Sequence, residues 1–154
     1  MSSDEETFRR LAVESRFLEE AVNELQSRIS LTNSALTELR ISSITMEGLE
    51  KEKKDSQLFV PIGGGSYVKA RLETANKVVV GVGADVAVER TLKEAKEELE
   101  ARIAELEKTR EALVQQFNQV VERIQENRDR FEEVTAKLRE GEGQSGVREA
   151  KKRA

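Results

Sequence analysis

Two glycine-rich stretches are the residues best suited to chemistry, because the backbone amides of glycine loops can bind phosphate groups. The first covers residues 63–69 and contains three consecutive glycines and a lysine. It lacks the Gly-Lys-Ser/Thr ending of a phosphate loop, and a strand pattern rather than a helix follows it. The second covers residues 81–86 and lacks the third glycine of a dinucleotide-binding fingerprint. We therefore interpret both as turns whose glycines adopt positive φ.

Carboxylates are the other candidates for chemistry, and the chain has thirty Asp and Glu residues but no His and no Cys. The absence of His and Cys excludes zinc fingers, iron–sulfur clusters, thiol catalysis and every His-dependent triad. Nearly all the carboxylates lie beside Lys or Arg on predicted helix surfaces, where ion pairing explains them. No Asp-rich loop has EF-hand spacing. We expect no enzyme activity, no metal and no cofactor.

The overall charge argues against nucleic acid as a partner, because 26 basic and 30 acidic residues give a net charge of −4. No stretch approaches the roughly 18 consecutive apolar residues of a membrane span. The first six residues, MSSDEE, carry three acidic side chains and no basic one, whereas a signal peptide begins with basic residues followed by an apolar run. We expect a cytoplasmic protein that binds neither nucleic acid nor membrane. The basic residues Lys151, Lys152 and Arg153 either contact an acidic partner or only keep the tail soluble.

A heptad pattern near the N-terminus predicts a coiled-coil helix over residues 1–55, since eight of its ten seam positions are apolar. The a positions are Phe8, Ser15, Val22, Ile29 and Leu36, and the d positions are Leu11, Leu18, Leu25, Thr32 and Leu39. Ser3 with Glu6 has the spacing of a capping box, which predicts the start of the helix. The pattern fades near Gly48.

A second heptad pattern predicts another coiled-coil helix over residues 91–140, capped by Thr91 and Glu94. Its a positions are Ile103, Arg110, Phe117, Ile124, Phe131 and Leu138, and its d positions are Leu99, Leu106, Leu113, Val120, Asn127 and Val134. Arg110 and Asn127 are interpreted as register devices or as local softeners of the coil. Gly141 and Gly143 predict the helix end, and residues 141–154 are expected to be a disordered tail.

Residues 56–90 differ in composition from both helices and predict β-structure. Strands are expected at 58–60, 66–72 and 77–82, with a short fourth at 85–89, which makes two hairpins. The fold class is therefore α+β and mostly α, with a long antiparallel helical coiled-coil hairpin around two central β-hairpins. Val78, Val79 and Val80 are apolar on both faces of their strand. Because narrow hairpins lack independent stability, another chain must cover them, and the segment is predicted to be an oligomerisation module.

Apolar residues that the seam does not require suggest a contact surface. Val13 falls at position f, and Phe17 and Leu31 fall at position c, which face water in a two-helix pairing. Val13 and Phe17 are one turn apart near the free end of the hairpin, where seam residues such as Phe8 and Phe131 also gather. The alternative is that Phe8 and Phe131 only complete the seam.

The sequence of residues 58–69, LFVPIGGGSYVK, followed by residues 78–91, VVVGVGADVAVERT, resembles the prefoldin alpha-subunit family of archaeal type. The similarity is detailed over about 35 residues, and the order of helix, two hairpins and helix extends it to nearly the whole chain. The combination of Val-Pro, the glycine turn and the Val-Gly strand carries the resemblance. The coiled coils alone are not specific to one family.

The resemblance implies a heterohexamer of two alpha and four prefoldin beta-type subunits, whose hairpins form an intersubunit β-barrel with coiled-coil arms. It implies an ATP-independent chaperone, or holdase, that binds unfolded client proteins at the coiled-coil tips and delivers them to a group II chaperonin. Client binding is assigned to Phe8, Leu11, Val13, Phe17, Phe131, Val134 and Leu138. Oligomerisation is assigned to Leu58, Val60, Ile62, Val68, Leu72, Val78, Val80 and Val82.

Two other readings compete with the heterohexamer. The same module can polymerise with itself into a prefoldin-like filament, or serve as a structural coiled-coil scaffold, with the arms acting as spacers. An enzyme or nucleotide-dependent machine is a third class, and it predicts a response to ATP.

Overall fold

Two long helices flank four short strands in a computed structural model, which describes residues 2–153. Helix α1 spans Ser3–Glu50 and helix α2 spans Leu92–Arg153. Between them lie β1 (Gln57–Gly63), β2 (Ser66–Arg71), β3 (Lys77–Gly83) and β4 (Val86–Thr91). This order confirms the predicted fold class of two long helices and two strand pairs.

The strands form two separate antiparallel hairpins, one of β1 with β2 and one of β3 with β4. Gly64 and Gly65, at φ of 59° and 74°, make the first turn. Ala84 and Asp85, at 48° and 59°, make the second. Two consecutive residues of positive φ produce the twist that a two-residue hairpin turn requires. The interpretation of the glycine-rich stretches as turns is confirmed, although at Ala84 and Asp85 the strain falls on non-glycine residues.

The chain folds as two compact units. The terminal unit contains residues 2–31 and 110–153. Its two helix segments run antiparallel, because Phe8 packs on Phe131 with ring centroids 4.6 Å apart, and Arg123 donates hydrogen bonds to Glu14 at 2.9 and 3.0 Å. The buried apolar residues of this unit are Leu11, Leu25, Leu113 and Val134.

The central unit contains residues 32–109, with the two hairpins and the adjoining helix segments. Arg40 pairs with Glu107 at 2.9 Å and Lys96 with Glu50 at 3.0 Å, so these segments also run antiparallel. The hydrogen bond from Lys96 Nζ to the Glu50 carboxylate raises the pKa of Lys96 above its ordinary value. The buried apolar residues are Leu36, Leu92, Ala95 and Leu99.

The heptad patterns correspond to the observed burial. All ten seam positions predicted in α1 are buried or half-buried, and so are those in α2 except Arg110, which is exposed. A guanidinium group stays charged and keeps its hydration by bending its long stem towards solvent, which explains the exception. Period alone therefore located the buried stripe of both helices.

The first helix cap lies one residue earlier than predicted. Ser2 and Glu5 form the capping box, in which the Glu5 N–H donates to Ser2 Oγ and the Ser2 N–H donates to Glu5 Oε2, both at 3.3 Å. The sequence offers Ser-x-x-Glu at both registers, and the earlier one adds Ser3 to the helix. At the second helix the predicted box of Thr91 and Glu94 is confirmed, with both hydrogen bonds at 3.2 Å.

The prediction that the second helix ends at Gly141 was wrong. Helix α2 continues through Gly141, Gly143 and Gly146 to Arg153. Glycine in a helix costs only about 1 kcal/mol relative to alanine, and the segment has no proline to break the hydrogen-bond ladder. The basic residues of the last turn also complement the helix dipole. Every side chain from residue 139 to residue 153 is exposed, so no tertiary packing supports this last part of the helix.

We expect Thr91→Ala to lower the free energy of unfolding by about 1 kcal/mol, because it removes the hydroxyl that accepts the Glu94 N–H at the start of α2. Urea titration at fixed protein concentration measures this change. Thr109→Ala is the matched control, since Thr109 is an exposed mid-helix residue whose hydroxyl bonds only to the Glu105 carbonyl. It should stay within about 0.5 kcal/mol of wild type. Equal losses in both variants would contradict the capping role.

Candidate functional site

One face of the first hairpin is apolar along its whole length. Leu58 lies opposite Ala70 and Val60 opposite Val68, so the four side chains share that face, and Ile62 continues it beyond Val60. Val60, Ile62 and Val68 are all exposed large apolar residues. This face offers contact area that nothing in the described chain covers.

The second hairpin has a similar face, although Arg90 lies opposite Val78 on it. Val80 lies opposite Val88, and Val78 and Val82 occupy the alternate positions of the same strand. Val78 and Val80 are half-buried, whereas Val82 is 47% exposed. The eight residues predicted for oligomerisation lie on one face of each of the two hairpins. Because their positions all carry even numbers, we call these two faces together the even face: Leu58, Val60, Ile62, Val68, Leu72, Val78, Val80 and Val82.

Leu72 joins the even face by extending the first ladder beyond β2. Its N–H donates to the Ser56 carbonyl at 2.9 Å, and its carbonyl accepts from the Asp55 N–H at 2.7 Å. Asp55 adopts a positive φ of 66° to make this second bond. The strained backbone at Asp55 therefore accompanies the hydrogen bond that holds Leu72 at the base of the hairpin.

The opposite face of the hairpins mixes apolar and charged groups. The residues assigned to oligomerisation from the sequence do not include this face, although Val79 contributed to the prediction that the strand needs cover on both sides. Phe59, Tyr67 and Val79 are exposed there. Phe59 lies opposite Lys69, and Lys77 pairs with Glu89 at 3.2 Å. The signal in the sequence was present, because Val79 lies between two even-face valines. The charged neighbours make this odd face less apolar than the even face.

The seven residues predicted for client binding all lie in the terminal unit, but they do not form one surface. Leu11 and Val134 are buried in the seam. Phe8, Phe131 and Leu138 are half-buried, and the two phenylalanines pack on each other. Only Val13, at 57%, and Phe17, at 65%, are largely exposed. In the packed state, the accessible part of the predicted site is therefore this pair.

Val13 and Phe17 form a shallow apolar groove along the outer side of α1. The groove is lined by Arg9, Arg10, Val13, Glu14, Phe17 and Leu18. Its floor is apolar and two arginines stand at its rim, so it suits an apolar segment that carries some negative charge. Glu14 is held from the other helix by Arg123.

Three more apolar side chains point outward from α1, namely Leu31, Ile41 and Ile44. The heptad count that placed Val13 and Leu31 outside the seam places Ile41 at f and Ile44 at b, so the sequence contained the signal for both. Only two charged residues, Glu38 and Arg40, occur between residues 29 and 46. This stretch therefore carries much less charge than the rest of the two helices.

Across residues 2–153, no three acidic side chains come together in a way that would hold a metal ion. Over the same residues, neither helix has an apolar run sufficient to cross a lipid bilayer.

Comparison with known sequences links this arrangement to one family. The family described as "Prefoldin subunit" matches residues 18–137. A protein of Thermofilum pendens named "Prefoldin subunit alpha" is 32% identical over 117 residues, which cover 76% of this chain and 91% of that protein. A protein of the same name from Methanopyrus kandleri is 40% identical over 80 residues, which cover 52% of this chain and 51% of that protein.

Comparison with solved structures gives the same result for the fold. A cryo-EM structure of filamentous PFD from Methanocaldococcus jannaschii matches with a TM-score of 0.62 and 26% identity. The match covers 72% of this chain and 92% of that chain.

We expect Val82→Lys to reduce the mass of the complex that the wild-type chain forms, with itself or with a second chain, because it places a charge on the even face. Gln57→Lys is the matched control, since Gln57 is an exposed strand residue that is already polar and lies on the face opposite to that of Leu58. It should leave the mass unchanged. Native mass spectrometry at equal concentrations measures both. A wild-type mass for the Val82 variant would contradict the assignment of the even face to assembly.

Proposed function

Since this chain belongs to the prefoldin family, we propose that it is the alpha-type subunit of a holdase that binds non-native proteins at its coiled-coil tips without ATP. In this proposal the subunit does no covalent chemistry. The observation that supports it best is the exposed pair Val13 and Phe17, which is apolar, accessible and not required for the seam. The terminal unit is the tip of the arm in this scheme.

The proposed assembly contains two of these chains and four beta-type subunits. Its support is the even face, because two isolated two-stranded hairpins are at best marginally stable in water. Both strands of each hairpin also have an unpaired edge that a strand from another chain can extend. Closing these edges between subunits produces the proposed intersubunit β-barrel, which removes edges and apolar surface together.

Client binding in this proposal uses two classes of residue. Val13 and Phe17 are available in the packed state. Phe8, Phe131 and Leu138 are half-buried, and Leu11 and Val134 are buried, so these five become available as the helix ends separate. Local opening near a helix end costs less than opening of the continuous seam. The site thus enlarges when a client competes for the seam residues.

The proposed grip is weak at each arm and strong in total. A buried apolar side chain contributes about 1.5–3 kcal/mol, so two or three contacts on one arm bind reversibly. Several arms that hold one unfolded chain raise the effective concentration of the remaining sites. Release to a group II chaperonin in the cytoplasm then requires only successive loss of weak contacts. No nucleotide step is needed for that release.

Phe17→Ser should weaken suppression of client aggregation several-fold, because it removes the largest exposed apolar side chain of the groove. Light scattering of a denatured client, diluted into the assembled complex, measures the effect with and without ATP. Leu31→Ser is the matched control, since Leu31 is also exposed and occupies the same heptad position two heptads further on. We expect the control to hold clients as wild type does and ATP to change nothing. Undiminished suppression by an intact Phe17→Ser complex would reject the tip assignment.

The similarity to filamentous PFD favours a second candidate, a self-assembling filament in which the arms serve as spacers. The two candidates differ in what the even face pairs with. Electron microscopy of the chain alone, and of the chain mixed with a beta-type partner, separates them. Our proposal predicts a discrete particle in the mixture. Long fibres that persist with excess partner present would favour the filament.

A further inference from the structure

Asn127 is the one buried polar residue in the described seam of the terminal unit. It occupies position d of α2, where the neighbouring seam positions hold Ile124 and Phe131. Its side chain is only 6% exposed, and its Nδ2 atom has no hydrogen-bond partner within residues 2–153. A polar amide at a seam position stabilises the packed form less than an apolar residue would, because it finds no hydrogen-bond partner on the facing helix and contributes little apolar contact.

The facing helix does not repair this defect. One cleft beside Asn127, of about 120 Å³, is lined by Leu11 and Glu14 of α1, and another is lined by Ala12 and Ser15. Asn127 therefore packs against the turn of α1 that contains Ser15, the one polar residue among the predicted a positions of α1. We call Ser15 and Asn127 the polar layer.

The polar layer divides the seam of the terminal unit in two. On its outer side lie the Phe8–Phe131 pair and the residues Leu11, Val134 and Leu138. On its inner side the seam positions from Leu18 to Ile29 and from Leu113 to Ile124 are all apolar, and the Arg123–Glu14 ion pair joins the helices immediately inside the layer. A short outer segment bounded by a layer with an unsatisfied donor can open without disturbing the inner seam.

We propose that the polar layer is a hinge. Beyond it, residues 3–11 of α1 and residues 131–138 of α2, which together form the outer segment, separate from each other in one cooperative step. Asn127 acts as a positioning residue, because it sets where opening stops and need not contact a client. The consequence for client capture rests on the proposed function. Opening at this layer would release Leu11 and Val134, which are buried in the packed state.

Hydrogen exchange followed by mass spectrometry tests the hinge directly in the full chain. Asn127→Leu should slow exchange of amides in the outer segment about tenfold, which corresponds to about 1.4 kcal/mol, because an apolar residue completes the seam. Asn118→Leu is the matched control, since Asn118 is exposed on the same helix and lies outside the seam. It should leave exchange unchanged. Asn127→Val provides a second seam-filling variant if the leucine disturbs packing.

Moving the polar residue to another seam position tests whether its position determines where opening stops. The double variant Asn127→Leu with Val120→Asn moves the polar residue one heptad inward, so fast exchange should extend seven residues further along α2. Unchanged exchange in the Asn127 variants would overturn the hinge. Equal slowing across the whole terminal unit would overturn it as well, because that result describes general stabilisation.

A parallel aggregation assay separates this proposal from the proposed function. Slowed exchange together with weaker suppression of aggregation supports both. Slowed exchange with unchanged suppression supports the hinge and counts against a client role for Leu11 and Val134.

Discussion

The fold depends on apolar strand surface that its own chain does not bury. The two hairpins are separate two-stranded sheets, and their even face presents Val60, Ile62, Val68 and Val82 to solvent. The helices cannot supply the cover, because their apolar stripes are already packed against each other in both units. Membership of a family of assembled subunits is consistent with this shortage. In the proposed assembly the hairpins gain their stability from neighbouring chains, so the apparent stability should depend on protein concentration.

The helices, by contrast, bury most of their apolar residues against each other. The seam between them determines which apolar residues stay exposed to solvent. A two-helix seam needs only the a and d positions, so every further apolar residue is left in water unless something else covers it. In the terminal unit these residues include Val13, Phe17 and Leu31, and in the central unit they include Ile41 and Ile44. An exposed isoleucine pair in a charge-poor stretch of helix has the character of contact surface, as the groove of Val13 and Phe17 does. Apolar surface in excess of the seam is therefore present at both ends of α1.

Local rules made most of this architecture predictable. Heptad period located the seam, glycine-rich turns located the hairpins, and the Thr91 box located the start of α2, because each depends on residues close in sequence. The failures arose where two local solutions compete or where tertiary geometry decides. Ser2 and Ser3 offer equal caps, and glycines 141, 143 and 146 weaken a helix without forbidding it. Burial of Leu11 and Val134, and the missing partner of the Asn127 amide, depend on how two helices meet. Spacing within one helix does not contain that information.

The half-buried state of the predicted client residues has a physical rationale. If all seven were exposed, one arm would present a contiguous apolar patch and would associate with other arms as readily as with clients. If all were locked in a continuous apolar seam, a client would have to break that seam before gaining any contact. The observed arrangement is intermediate: Val13 and Phe17 are exposed, Phe8 and Phe131 are half-buried, and Leu11 is buried. Under the proposed function, each contact that a client makes offsets part of the cost of opening the next, which makes the proposed binding graded and reversible.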